Sequence, residues 1–302
     1  MRQFAKEVPS VKRWLTTILL TIFCSVFLVS GYFLVDYMIY SKKEHGSFDD
    51  LASMMENAQQ NKPSKNDPSK PGSNGGNGYN GTGSLEDFDP DKDPYGGLTP
   101  VVDPSTGETV FMLPEFAELY TINQDIVGWM KLEGTNINYP VMHRPEDVDY
   151  YLERDFYGDH SYRGCFYLQE VCSLDPHSDN VTIYGHNMSD GTMMAALHKY
   201  KKQSFWEDHK TITFNTLTEY REYEVVAVFR ASVSVNTGFL YNLFVNAKDE
   251  AEFDAYVAKC KSLAYYDTGV EVHYGDKLIT LSTCDRSITN GRLVVVAKLI
   301  TE

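Results

Sequence analysis

The stretch that most constrains this 302-residue chain lies near its C-terminus: Leu278-Ile279-Thr280-Leu281-Ser282-Thr283-Cys284-Asp285, followed by Gly291-Arg292-Leu293-Val294-Val295-Val296-Ala297. Both halves read as strands, since Ile, Thr, Leu and Val dominate, and the second is a continuous apolar run of the kind buried on both faces. The segment between them, from Asp285 to Gly291, is polar and ends in Asn290-Gly291, which suits a turn. If the strands are neighbours, Cys284 at the end of one and Arg292 at the start of the next project into the same cleft. A thiolate beside a fixed cation is the environment that makes cysteine nucleophilic. Taken alone, a cysteine at a strand end fits a small buried hydrophobe equally well, and this stretch leaves both readings open.

The other end of the chain has a different character. Trp14 to Val35 carries no charge and is bracketed by Arg13 and Asp36; a helix needs roughly 20 such residues to cross a bilayer. Arg2, Lys6, Lys12 and Arg13 precede it with only Glu7 opposing, whereas Asp36, Lys42, Lys43 and Glu44 roughly cancel after it. The positive-inside rule therefore places residues 1–13 in the cytoplasm and everything beyond residue 35 outside. A cleaved signal peptide is the competing reading, but the apolar run is longer than a typical h-region and no small-residue cleavage site follows. Residues 36–110 read as a juxtamembrane segment and flexible linker, because from about Asn57 to Thr109 the chain is rich in Pro, Gly, Asn, Ser and acidic residues and has too little apolar surface to offset ordering entropy. A net charge of −15 with no basic stripe excludes nucleic acid as an expected partner.

The head spans 111–302. Pro114 to Tyr120 reads as a short helix opened by proline, and Asp147 to Leu152 as a helical turn. Gly128–Lys131, Tyr139–Met142, Cys165–Leu168, Val181–Tyr184, Thr211–Phe214 and Arg221–Phe229 read as short strands separated by turn residues, a spacing that predicts a sandwich or barrel rather than βαβ units. Helices are expected over Gly191–Tyr200 and Asp249–Leu263, with apolar stripes that fit core packing. Of the five cysteines, Cys24 lies in the apolar span. Cys165 and Cys172 are close enough in sequence to pair across a hairpin, although Cys165 sits on an apolar strand. There is no CxxC and no Cys/His spacing of a metal site, so neither metal nor cofactor is expected. A thiol nucleophile needs a base, and spacing alone does not choose among eight histidines. His186 stands out because Tyr184-Gly185-His186-Asn187-Met188 follows a strand directly, as Cys284 ends one.

These three motifs, Tyr184-Gly185-His186-Asn187-Met188, Thr280-Leu281-Ser282-Thr283-Cys284 and Gly291-Arg292-Leu293-Val294-Val295-Val296, resemble in order and separation the His, Cys and Arg motifs of sortases, most closely those of class B. The resemblance runs from about Leu113 to Ile300 and takes in Arg154-Asp155-Phe156, Asp190-Gly191-Thr192-Met193, Ser204-Phe205-Trp206 and the helix between the last long strands. It implies a mainly β fold, a closed barrel of about eight strands with flanking helices, and a cysteine transpeptidase on the outer face of a Gram-positive membrane. It further implies that Cys284 attacks a C-terminal sorting signal of a surface protein, that His186 acts as acid and base, and that Arg292 holds the substrate and its oxyanion. Ser282, Thr283 and Asp285 match positions that contact substrate, and the helix at 249–263 matches one wall of the groove. The acceptor would be an amine of a peptidoglycan cross-bridge or of a pilin. A secreted cysteine peptidase would carry the same three residues, and a non-catalytic wall-binding module with a buried Cys284 is the third reading.

The charge asymmetry around Trp14 sets an expectation for topology. Protease added to wall-stripped cells should release the head by cutting between residues 57 and 109; a head that stays protected while a cytoplasmic N-terminal tag is digested would reverse the orientation.

Overall fold

The computed structural model describes residues 10–60, 95–234 and 238–301. The chain divides into two compact units, Met1–Asp50 and Leu51–Glu302. In the first, helix α1 (Ser10–Gln60) begins, and its apolar face from Trp14 to Ile39 is exposed on all sides. It is the one helix among the described residues that is long and apolar enough to cross a membrane. The hydroxyls within it find partners in the preceding turn: Thr21 Oγ1 donates to Thr17 O (2.7 Å) and Ser25 Oγ to Thr21 O (2.8 Å). The helix does not stop at the charged residues after Val35 but continues to Gln60, through a stretch rich in good helix formers and free of proline. The core of the expected linker, 61–94, lies outside the described residues.

The second unit begins earlier than the sequence suggested. Strands β1 (Thr99–Val102) and β2 (Thr109–Met112) form a hairpin ahead of Phe111, where the head was expected to start. Each strand has only 4 residues, and the turn between them is polar, which is why composition reads the pair as linker. Asp103 organises the turn: its Oδ1 accepts from Ser105 N (2.7 Å) and Ser105 Oγ (2.6 Å), and its Oδ2 accepts from Tyr120 Oη (2.7 Å) on helix α2 (Ala117–Ile122).

The remaining strands are β3 (Ile126–Lys131), β4 (Asn138–Met142), β5 (Phe166–Leu168), β6 (Asn180–Tyr184), β7 (Thr211–Thr216), β8 (Glu222–Ser232), β9 (Leu278–Cys284) and β10 (Gly291–Leu299). They close into a barrel in the order β10-β8-β7-β3-β4-β5-β6-β9. Every pair is antiparallel except β4 with β5 and β6 with β9. The expected mainly β barrel is therefore present, with each predicted strand in place. The helix expected over 191–200 is a 3-10 helix, Met194–Lys201, followed by α3 (Gln203–Asp208). The helix expected from Asp249 is α4 (Glu250–Leu263), with Asp249 as its N-cap: the Asp249 Oδ1 accepts from Glu252 N at 2.9 Å.

Side chains alternate across a strand, and both faces of β10 are buried. Val294 and Val296 join Leu278, Phe229 and the α4 residues Phe253, Tyr256, Val257 and Cys260 in one apolar cluster outside the barrel, while Leu293 and Val295 turn inward, opposite Thr283 and Leu281. This double burial produces the continuous apolar run of the sequence. Phe253 is wholly buried in the outer cluster. Its replacement by Ala should cost about 3–5 kcal/mol of stability, read as a lower melting temperature of the full chain; an unchanged transition would mean that α4 does not brace the sheet.

Candidate active site

The antiparallel register of β9 and β10 sets Arg292 directly opposite Cys284. The loop between them is closed by Asp285 N donating to Gly291 O (2.9 Å) and Gly291 N to Ile288 O (3.1 Å). Asn290 takes a left-handed conformation (φ 51°), and a Cβ on Gly291 would stand 2.3 Å from Asp285 O, so the Asn-Gly pair is what lets the hairpin turn this tightly. Along its other edge β9 runs parallel to β6, with Tyr184 opposite Ser282. The chain leaving β6 reaches His186 two residues later and is tied to β9 by Gly185 N donating to Ser282 O (3.3 Å) and Thr283 Oγ1 donating to Gly185 O (2.7 Å). A Cβ on Gly185 would lie 2.8 Å from Phe166 Cδ1 and 2.9 Å from Met194 Cγ, so the close approach of this turn to the barrel needs glycine.

Cys284, His186 and Arg292 line one cleft of about 330 Å³, with Ser282, Thr283, Leu152, Tyr167, Tyr184 and Tyr241 among its walls. His186 Nε2 lies 2.9 Å from Leu152 O. A carbonyl oxygen only accepts, so Nε2 carries a proton and Nδ1 is the nitrogen left for proton transfer. Arg292 Nη1 donates to Gly291 O at 3.0 Å. Burial pushes the Tyr167 and Tyr241 phenols up, and the Arg292 guanidinium pulls both partly back. Among the described residues no group of three His, Cys, Asp or Glu is gathered that could hold a metal.

The remaining site candidates divide. Ser282 and Thr283 line the cleft but are 1% and 2% exposed; the Ser282 hydroxyl is bonded to Tyr241 Oη (2.6 Å). Asp285 does not line it. It is 3% exposed, pairs with Lys201 Nζ at 2.8 Å, and accepts from Ser287 N and Oγ. Burial alone would raise its carboxyl, but the Lys201 ammonium and the Ser287 donors outweigh that and hold it far below the usual carboxylate range. Asp285 is thus a lock on the β9–β10 loop. Nor does α4 supply a wall of the cleft. That wall comes from the segment before it, Val233, Tyr241 and Asn242, which α4 backs by stacking Tyr256 on Phe244 at 4.0 Å between ring centroids.

Sequence reasoning missed the residues behind the nucleophile. Asn187 Nδ2 donates to the Cys284 carbonyl at 3.0 Å, and His198 Nε2 lies 3.1 Å from the same oxygen. Desolvation and the nearby Lys201 charge lower the His198 pKa. The signal available was the position of Asn187 beside His186, together with the spacing of His198 and Lys201 by one 3-10 turn. The competing thiols are inert by burial: Cys165, Cys172 and Cys260 are all buried and free, so no 165–172 disulfide forms. Desolvation pushes the Cys172 thiol up to about 11 and that of Cys260 up to about 12.

Comparison with known proteins places the chain in one family. The Sortase domain family matches residues 130–300. Sortase B of Staphylococcus aureus is 36% identical over 189 residues, which cover 62% of this chain and 75% of that protein. Sortase B of Listeria monocytogenes is 34% identical over 191 residues, again 62% and 75%. The solved Staphylococcus aureus sortase B-substrate complex superposes with a TM-score of 0.65 at 25% identity, covering 87% of this chain and 99% of that one. The motifs, the closed eight-stranded barrel and these relatives lead to one conclusion: the chain belongs to the sortase family of cysteine transpeptidases and is similar to its sortase B members.

Proposed function

We propose that this protein is a membrane-anchored transpeptidase that cleaves the C-terminal sorting signal of surface proteins and joins the released acyl group to an amine of the cell wall or of a pilin. The observation that carries the reading is the convergence of Cys284, His186 and Arg292 on one cleft. In the first half-reaction the Cys284 sulfur attacks the carbonyl of the sorting-signal residue, the S–C bond forms and the peptide C–N bond breaks. His186 takes the proton of the Cys284 thiol and passes it to the departing amine. In the second, His186 takes a proton from the incoming amine as it attacks the thioester, the new C–N bond forms, the C–S bond breaks, and His186 returns the proton to the Cys284 sulfur. Splitting one difficult acyl transfer into two steps is the gain from covalent catalysis. Arg292 offers a planar fork of donors to the oxyanion that develops in each step. Ser282 and Thr283 carry the cleft floor, and Asp285 acts by holding the loop rather than by touching substrate.

Helix α1, with its exposed apolar surface and the basic residues before it, supports a single membrane crossing with the N-terminus in the cytoplasm and the catalytic unit outside. The amine acceptor distinguishes this reading from a peptidase, since a thioester prefers a positioned, unprotonated amine to water.

The purified full chain in detergent provides the test. Cys284→Ala abolishes the acyl-enzyme seen by mass spectrometry, and His186→Ala lowers turnover by at least about a hundredfold, the range typical of a lost acid–base group. Arg292→Lys keeps the charge but loses the fork and should cost about 10²–10³ in kcat; near-normal turnover would show that only charge is needed there. Cys165→Ala and Cys260→Ala leave the chemistry intact. With a sorting-signal peptide, cleavage in buffer alone is slow, and a cross-bridge or pilin-lysine peptide diverts product into a new amide. Fast cleavage in water with no amide formed from any amine, native wall fragments included, would replace this reading with that of a peptidase.

A further inference from the structure

One cluster meets the nucleophile from behind the cleft. Asn187 Nδ2 donates to the Cys284 carbonyl at 3.0 Å, His198 Nε2 lies 3.1 Å from the same oxygen, and the two nitrogens are 3.0 Å apart. Because the carbonyl only accepts, a proton on Nε2 makes His198 its second donor beside Asn187. One turn along the same 3-10 helix, Lys201 grips the Asp285 carboxylate; with three residues per turn these two side chains stand one above the other. The helix therefore holds the oxygen of the Cys284–Asp285 peptide unit through His198 and the side chain that follows it through Lys201. In a trans peptide the N–H and C=O point opposite ways. With the oxygen turned to His198, the Asp285 N–H faces the hairpin and donates to Gly291 O at 2.9 Å, beside Arg292. The peptide plane is clamped on both edges, and the Cys284 Cα that bears the thiol is one of its corners. Asn187 adds a second link, because its side chain crosses from the loop of His186 to the end of the strand of Cys284.

We propose that His198 and Asn187 are positioning residues for the nucleophile: by fixing the Cys284 carbonyl they set the direction in which the thiol meets the substrate. Neither lines the cleft, so both act through the backbone. The turnover part of the test rests on the transpeptidase reading; the alkylation part does not.

The test compares two replacements in the full chain in detergent. His198→Gln keeps an N–H at the reach of Nε2, and His198→Phe keeps a ring of similar shape without the donor. The Phe variant should lose about ten- to a hundredfold in kcat with KM within about twofold, while the Gln variant stays within about threefold of wild type and the melting temperatures of the two agree. Asn187→Ala removes the other donor from a half-buried position and shifts kcat in the same direction, which decides the matter if the Phe variant does not fold. In the same preparations, iodoacetamide alkylation of Cys284, followed by peptide mass spectrometry, departs from the wild-type rate in the Phe variant and returns to it in the Gln variant. Equal losses in Gln and Phe would overturn the proposal, because ring packing rather than the donor would then matter. Wild-type kcat and alkylation rate in the Phe variant would overturn it as well. Wild-type protein that is alkylated yet cleaves no sorting peptide refutes the transpeptidase reading alone, and the alkylation rates of the variants then decide the positioning role.

Discussion

The pairing of β9 with β10 is the constraint on which the rest of this molecule depends. A strand register moves in whole residues, and a slip of one position sends every side chain to the opposite face. The register here is held by burial on both sides of β10, by the α4 cluster outside and by the barrel interior within. It is held again at the loop, where Gly291 allows the backbone to close and Asp285 is anchored by Lys201. Since Arg292 stands opposite Cys284 only in this register, core packing and site chemistry are one requirement rather than two.

Selectivity among thiols follows from the same architecture. Cys165, Cys172 and Cys260 are buried, and desolvation opposes a thiolate at each, whereas Cys284 is partly exposed at the end of its strand. Lone cysteines look alike in a sequence. What separates them is whether the fold leaves each one in the core or brings it to the edge, as β9 does for Cys284.

Much of this was legible from residue order. The continuous apolar run of β10 reported burial on both faces, the Asn290-Gly291 pair reported the turn, and Gly185-His186 after an apolar strand reported an imidazole at a strand end. The β1–β2 hairpin was not legible, because four-residue strands around an Asp-Pro-Ser-Thr-Gly turn have the composition of a linker and are held by a tertiary contact, Tyr120 on Asp103. The position of Asp285 was not legible either. Next to a nucleophile a carboxylate invites a functional reading, and only the fold reveals that Lys201, 84 residues away, claims it. His198 was hidden for the same reason: within a helix whose apolar stripe reads as core, its partner is a backbone oxygen, which leaves no mark in a sequence.

The parallel alignment of β6 and β9 gives the barrel a polarity. Two parallel strands start at one rim and finish at the other, so Cys284 at the end of β9 and His186 just past the end of β6 emerge together although 98 positions separate them. The starting rim is built differently: Lys277 pairs with Asp179 at 2.8 Å, and the Asn180 side chain donates to Phe244 O. One rim answers to chemistry and the other to cohesion alone. Grafted peptides, dyes or surface tethers attached at the cohesive rim would hold the enzyme with its working mouth pointing outward.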